Sequence, residues 1–207
     1  MIEVDEVLEH TRSQVLRDFA SPQLFSDPSL IRYLNEGYAI FARTTHAFTR
    51  EFELDTIAGQ KRYDMPSDVI HVRDVVGSYG ISLGHYSRKT RRASCTGRPT
   101  QYTTDTKHRS IKFWPVPDNV YTFEIEAAVL PERVEDGDEL DLDYDHGLLL
   151  PHFIAFRTLM NNDPDGSQTV AASDFQALWL AGLRDAKMEF ARMKLGDQPR
   201  AVPQKWT

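Results

Sequence analysis

Residues 26–41 read SDPSLIRYLNEGYAIF, and this stretch decides the fold of the N-terminal part of the chain. Its apolar side chains recur every three or four residues, which is the spacing of one face of an α-helix. These side chains are Leu30, Ile31, Leu34, Tyr38 and Phe41. Ser26-Asp27-Pro28 supplies a cap residue followed by a proline in the first turn. The pattern continues through Thr45 and Phe48, and it predicts a helix that ends near Arg50.

Upstream of this stretch, a second helical pattern covers residues 2–19. Its apolar positions are Val4, Val7, Leu8, Val15, Leu16 and Phe19, with Thr11 filling the gap. They fall on one face of a helix. Ser21-Pro22 then predicts its end, because the residue before a proline disfavours helical geometry. Two consecutive helices are therefore predicted before residue 51.

Downstream, the period of the pattern changes from helical to alternating. Residues 121–126 alternate most regularly, which indicates a strand with one face in water. Glycine, proline and asparagine residues separate the predicted strands. These strands cover residues 52–57, 69–76, 81–86, 101–104, 111–114 and 121–129. No alternation of strands with helices is present, so a small antiparallel sheet or sandwich is predicted rather than a parallel sheet.

Helical periodicity returns after Pro131 and a run of acidic residues. Residues 148–160 form a predicted third helix, which begins either near Asp145 with a kink at Pro151 or near Leu150 with that proline in its first turn. A fourth helix is predicted over residues 168–194. Its apolar stripe is Ala171, Phe175, Leu178, Gly182, Ala186, Phe190 and Met193.

These patterns predict an α+β fold in several parts. Residues 1–51 and 146–196 form an antiparallel bundle of about four helices. Residues 52–131 form a β-rich insertion, and residues 132–145 an acidic connector. Residues 197–207 contain two prolines and are predicted to form an extended C-terminal tail.

Composition excludes several classes of protein. The formal net charge of −7 argues against a protein that coats duplex DNA, because such binding rests on neutralising phosphates. One cysteine, Cys95, excludes a disulfide framework and a multi-cysteine metal site. The acidic N-terminus is unlike a secretory leader, and the apolar runs are too short for a membrane span. We therefore expect synthesis in the cytosol and no contact with a membrane.

Two runs of opposite charge are the most informative surface feature. Residues 85–112 hold eight Lys or Arg against one acid, and residues 132–145 hold eight acids against one Arg. Three interpretations stay open: two solvated stretches, complementary faces between neighbouring copies, or a basic loop that faces passing DNA. The candidate basic residues are Arg88, Lys89, Arg91 and Arg92. The candidate acidic residues are Asp136, Asp138 and Asp141.

One pentapeptide matches a catalytic motif. Gly80-Ile81-Ser82-Leu83-Gly84 fits the G-x-S-x-G nucleophile elbow, which makes a small serine hydrolase the alternative function. The elbow needs a buried strand before the serine and an apolar helix after it. Here the residues that follow are polar and basic, so a Gly-flanked strand or turn is the preferred interpretation. We predict no enzyme activity and no cofactor.

Alternating aspartates at 141, 143 and 145 imitate a calcium loop, but the glycine and the twelfth position do not match its pattern. A solvated acidic connector that caps the third helix is the preferred interpretation. No metal site is predicted.

The order of several short motifs resembles the head-to-tail adaptor (connector) proteins of tailed phages, especially the podovirus type. Residues 25–37 resemble the family's aromatic–Ser/Thr–acidic lead into an L-N-E-A helix, with Gly37 where alanine is usual. Residues 59–69 resemble its G-x-x-x-Y-x-L-P-x-D start of the β part, with Met65 where leucine is usual. Residues 97–102 and 111–117 resemble later strands.

The resemblance implies a structural virion protein that takes part in assembly and genome ejection. Such adaptors form a ring, usually of twelve copies, beneath the portal protein. The ring continues the DNA channel for the passing genome and presents a platform for tail or nozzle proteins. Another tail-completion protein with the same layout is a further alternative.

The resemblance also implies that the C-terminal segment docks into the portal. The docking residues would be Pro199, Arg200, Val202, Pro203 and Trp206. Independently of the family, a tail with two prolines loses little entropy on docking, and tryptophan is a favoured anchor.

Overall fold

The computed structural model describes residues 1–19, 23–77, 80–86, 95–161 and 169–196. The chain has a mixed α+β fold with antiparallel sheets, as predicted. It divides into two compact units. Residues 1–45 with 131–207 form one, called here the helical unit, and residues 46–130 form the other, the β unit.

The helical unit contains five helices and one small sheet among its described residues. A π-helical segment, Thr11–Leu16, follows the first helix. The helices are α1 (Val4–His10), α2 (Asp27–Thr45), α3 (Tyr144–Gly147), α4 (Leu150–Asn161) and α5 (Thr169–Gly196). Strand β1 (Ile2–Glu3) pairs antiparallel with β10 (Glu139–Leu140).

The first helix is shorter than predicted at both ends. Ile2 and Glu3 are extended because they pair with β10, and the helical segments end at Leu16. Arg17 then adopts a left-handed conformation with φ of 54°, and Phe19 is 75% exposed rather than packed on the helix. The chain leaves the helix axis here, and Asp18 forms an ion pair of 3.0 Å with Arg12.

The other helices differ from prediction in their boundaries and in one face. Helix α2 ends at Thr45 rather than near Arg50, and His46 follows with φ of 54°. Helix α4 begins at Leu150 with Pro151 in its first turn, which is the second of the two predicted starts. The buried side chains of α5 include Ala172, Trp179, Leu183 and Ala186, whereas the predicted Leu178 is 52% exposed.

Two glycines allow the helices of this unit to approach closely. A Cβ at Gly37 of α2 would lie 2.8 Å from Cδ1 of Phe153 on α4, and one at Gly182 of α5 would overlap Cδ2 of Leu149, which directly precedes α4. Trp179 of α5 also packs on Phe153, with 5.3 Å between the ring centroids. Gly37, one of the two departures from the family pattern, therefore makes room for an aromatic ring.

In its described part, the β unit contains two four-stranded sheets. The first has the order β2-β9-β4-β5, and the second has the order β3-β8-β7-β6. The strands are β2 (Thr49–Asp55), β3 (Arg62–Asp64), β4 (Val69–Gly77), β5 (Ile81–Ser82), β6 (Gly84–His85), β7 (Gln101–Asp105), β8 (Ser110–Trp114) and β9 (Thr122–Val129). Among the described strands of this unit, all pairs are antiparallel except β6 with β7, which fifteen residues, 86–100, separate in the sequence.

The two sheets pack face to face around an aromatic core. The rings of Phe113 on β8 and Phe123 on β9 stack with centroids 4.7 Å apart. Side chains alternate along these strands, so the residues beside these two phenylalanines point away from the core. The predicted strand at 81–86 is two short strands, one in each sheet, with buried Leu83 between them.

Replacing Gly37 with alanine tests the close approach of α2 and α4. Helix propensity alone favours alanine by about 1 kcal/mol, but the added methyl group would overlap Phe153. We expect a net loss of about 1–2 kcal/mol in the free energy of unfolding, measured by urea titration. Phe153→Leu in the Gly37→Ala background should return part of that loss, and a Gly37→Ala protein more stable than wild type would contradict the packing.

Candidate functional site

Two sets of predicted site residues lie outside the described residues. Arg88, Lys89, Arg91 and Arg92 fall within residues 87–94. Pro199, Arg200, Val202, Pro203 and Trp206 fall within residues 197–207. Their roles stay predictions.

The predicted acidic residues lie on the surface of the helical unit, and two of them also support its structure. Asp136, Asp138 and Asp141 are all exposed. A side-chain oxygen of Asp138 accepts a hydrogen bond from the backbone N–H of Glu135 at 2.7 Å. The backbone N–H of Asp141 donates to the hydroxyl of Tyr38 at 3.1 Å. The segment 132–145, predicted as a connector, is therefore attached to α2 and contains β10.

Tyr38 is the buried α2 residue to which this segment is attached. Its side chain is buried, and burial, with the nearby Asp141 charge opposing ionisation as well, raises the pKa of Tyr38 to about 12. The hydrogen bond from Asp141 lowers that pKa only in part. The raised pKa thus reflects the buried position in which the phenol oxygen accepts the hydrogen bond from Asp141.

Asp136 is the predicted acid with the clearest electrostatic signature. A hydrogen bond with Asp5, followed by the charge of Asp5, raises the pKa of the Asp136 carboxyl. Asp27 contributes repulsion of the same sign. At neutral pH these carboxylates repel one another.

Beside Asp136, an acidic cleft of about 360 Å³ opens between the N-terminal helices. Arg12 lies in its wall and holds the segment after the π-helical turn. Its guanidinium contacts Asp18 at 3.0 Å, donates to the carbonyl of Phe25 at 2.7 Å and pairs with Asp27. Asp18 in turn accepts from the backbone N–H groups of Leu24 and Phe25. Sequence reasoning missed this network, because an arginine on a helix face ordinarily points into water.

The β unit carries charges of one sign that face each other across its strands. On the first sheet, Glu51 lies opposite Glu126 and Glu53 lies opposite Glu124. On the second sheet, Arg62 lies opposite Lys112. The sequence shows that these glutamates occupy alternate positions, at 51 and 53 and at 124 and 126. Their juxtaposition depends on the register of strands about seventy residues apart.

The catalytic-looking pentapeptide does not form a nucleophile elbow. Ser82 is exposed on β5, and its hydroxyl donates to a carboxylate oxygen of Asp74 at 2.8 Å. Gly84 already belongs to β6 of the other sheet, where the elbow requires a helix. Among the described residues, no hydrogen bond joins Ser82 to a histidine. This geometry gives the hydrolase alternative no support.

Of the three alternating aspartates, Asp143 caps a helix, but this is the short α3 and not the predicted third helix, which is α4. The side chain of Asp143 accepts a hydrogen bond from the backbone N–H of His146 at 3.3 Å, at the start of α3. Within the described part of the chain, no group of three His, Cys, Asp or Glu side chains could hold a metal ion. No described helix is long and apolar enough to cross a bilayer.

Asp136→Asn tests the like-charge contact with Asp5. Because the pKa of Asp136 is raised in the folded chain, its favourable contribution is present at low pH and is lost as pH rises through that pKa. We expect the asparagine variant to melt at a higher temperature than wild type at pH 7, with the difference closing at acidic pH. Glu132→Gln makes the same change in charge on an exposed side chain and should show no such convergence.

Asp18→Asn tests the Arg12 network. The Asp18 side chain is fully buried, so its neutralisation leaves the guanidinium without its buried counter-charge. We expect a loss of about 3 kcal/mol in the free energy of unfolding. Glu36→Gln is the matched control, since its pair with Arg157 at 3.2 Å is partly exposed and should contribute less than about 1 kcal/mol. Equal losses in the two variants would contradict a structural role for the network.

Comparison with known proteins identifies the family. The family described as SU10 adaptor protein matches residues 5–203, which is nearly the whole chain. No curated protein matches it significantly. The match agrees with the resemblance to phage adaptors in the sequence and indicates a structural component of the phage particle. The chain belongs to the SU10 adaptor protein family.

Proposed function

We propose that this protein is a podovirus-type head-to-tail adaptor, a non-enzymatic virion protein that forms a ring beneath the portal and joins it to the tail or nozzle. The ring, of about twelve copies by analogy with adaptors that the sequence resembles, continues the channel through which the genome leaves the particle. The observation that carries this proposal is the family match over residues 5–203. Adaptors of this family interact in general with portal and tail proteins.

The two-unit organisation is compatible with this role. Both ends of the chain build the helical unit, which we propose to be an antiparallel four-helix bundle with the β unit inserted between α2 and α3. Two independently packed units give one protein two separate surfaces. An adaptor needs such surfaces, because it must contact unlike partners.

The C-terminal tail is the proposed portal anchor. Residues 197–207 follow directly on α5, and they contain Pro199, Pro203 and Trp206. Arg200 and Val202 would add a charged and an apolar contact. Proline restricts the unbound tail and so reduces the entropy that docking removes. Tryptophan combines a large apolar surface with one hydrogen-bond donor, which makes it a frequent anchor in interfaces.

The remaining candidate residues are assigned to contacts within the ring or to its channel. Arg88, Lys89, Arg91 and Arg92 would face the passing DNA or a neighbouring copy. Of the predicted acids, Asp136 is the best candidate for an intermolecular contact, because its repulsion by Asp5 is relieved by any approaching cation. Asp138 and Asp141 already have roles within the helical unit, through Glu135 and Tyr38.

Assembly with the portal protein of the same phage tests this function. We expect wild-type chain and portal to co-sediment and electron micrographs to show ring density below the portal. Deleting residues 197–207 should abolish the association. Trp206→Ala should weaken it about thirtyfold, as expected for an anchor residue.

Gln204→Ala is the matched control within the tail, and it should bind the portal as wild type does. Circular dichroism of each free variant excludes a loss of folding. Failure of wild-type chain to bind the portal would overturn the proposal. Binding to an isolated tail but not to the portal would instead identify a tail-completion protein.

A further inference from the structure

The outer face of the first sheet of the β unit is strongly acidic. Glu51 and Glu53 on β2 lie directly opposite Glu126 and Glu124 on β9. Asp55 and Asp74 lie on the same face, next to them in the register. Arg73, which pairs with Glu126 at 3.0 Å, is the cation that the described residues place against these acids. We call this surface the acidic face.

The outer face of the second sheet carries the opposite charge. Arg62 on the edge strand β3 lies directly opposite Lys112 on β8. Lys61 and Arg109 are exposed beside them. Two acids, Asp64 and Asp105, share the face next to them in the register. Asp105 is buried and pairs with His108 at 2.9 Å, and neither Arg62 nor Lys112 forms an ion pair among the described residues. We call this surface the basic face.

The two faces lie on opposite sides of the same unit. Phe113, next to Lys112, points inward and stacks on Phe123, next to Glu124. Alternation along each strand therefore directs Lys112 and Glu124 outward, away from each other. One β unit thus presents an acidic surface on one side and a basic surface on the other.

This arrangement is unfavourable for an isolated unit. Like charges directly opposite each other across a strand pair lower stability, and the register creates four such pairs, because Asp74 also lies opposite Glu126. The same charges become favourable when a surface of opposite sign covers them, because complementary potentials speed encounter and fix register. A second copy of this chain carries such a surface, since its basic face is opposite in charge to the acidic face of the first copy.

We propose that the β units of neighbouring copies dock head to tail, with Glu51, Glu53 and Glu124 of one copy against Arg62 and Lys112 of the next. The inference rests on the proposed function for its setting, since it supplies a contact between neighbours in the ring. A contact between two different faces is heterologous, so it propagates into a closed ring when the rotation between copies closes. Its strength falls with rising salt, because the charges are exposed.

Charge reversal on each face separately, and then on both together, provides the test. One variant carries Glu51→Lys and Glu53→Lys, and the other carries Arg62→Glu and Lys112→Glu. Asp174→Lys with Asp185→Lys is the matched control, since it makes the same change in net charge as the first variant at exposed positions of α5. Full-length chains are measured free in low salt and together with the portal of the same phage.

The readouts are sedimentation velocity and a zero-length carbodiimide crosslinker that joins lysine to carboxylate. Mixing isotope-labelled with unlabelled chain identifies crosslinks between copies by mass spectrometry. In wild type we expect Lys112 to be linked to Glu51, Glu53 or Glu124 of another copy. Each reversal alone should lower association at least about tenfold, because the reversed side chains then meet charges of their own sign across the contact. The control should associate as wild type does.

An equimolar mixture of the two reversal variants should recover association. Each basic face then meets an acidic face of the other variant, so copies alternate. If the reversal variants do not fold, Glu51→Gln with Glu53→Gln decides the matter. It removes repulsion within the sheet, so it should melt no lower than wild type and yet associate more weakly.

Several results would overturn the inference. The first is that wild-type chain forms none of these crosslinks, either free or on the portal. The second is that the reversal variants associate like wild type. The third is that the equimolar mixture does not recover association. The last two would be expected if the charges only protect the sheets from aggregation. Portal binding without the crosslinks would refute the contact between β units and support the adaptor function. Crosslinks without portal binding would support the contact and refute the adaptor function.

Discussion

The side-chain amide of Asn35 joins the segment that precedes the β unit in the chain to the segment that follows it. Its Nδ2 donates to the carbonyl of Val134 at 2.8 Å, and its Oδ1 accepts from the N–H of the same residue at 2.9 Å. The amide thus pairs with the backbone as a neighbouring strand would, between residues ninety-nine positions apart. Few other side chains have a donor and an acceptor in this arrangement. The chain leaves the unit after Thr45 and returns at Pro131, and this pair of bonds fixes its return beside α2.

The fixed position of Val134 determines further contacts within the helical unit. Once Val134 is held, the next residues reach Tyr38 and pair with the N-terminal strand, where Ile2 lies opposite Leu140. Both of these side chains are almost fully buried. Residues from before and after the β unit therefore share the core of the helical unit.

Sequence patterns predicted the elements better than the contacts between them. Helix α2 was predictable because its apolar residues and its capping sequence agree. The buried face of α5 was not, because Leu178 and Trp179 are both apolar and only packing against Phe153 selects the tryptophan. The extended conformation of Ile2 likewise depends on a partner far along the chain, Leu140. The burial of Arg12 depends on the turn that brings Asp18 and Asp27 back to it. The acidic run was visible as composition, but its attachment to α2 was not.

The same limit applies to the charged surfaces, and it explains what the sequence alone left open. A run of one sign is compatible with mere solvation, because nothing in a linear pattern says whether the charges repel. The register decides this, since it sets Glu51 against Glu126 and Arg62 against Lys112. Any one of these pairs would disappear with a single neutral substitution, although each of them lowers the stability of the unit. In a protein that acts as a single copy, such charges serve only to keep the sheets from aggregating. A protein that assembles from identical copies gains an orientation, because two faces of opposite sign admit one order of neighbours and reject the reverse.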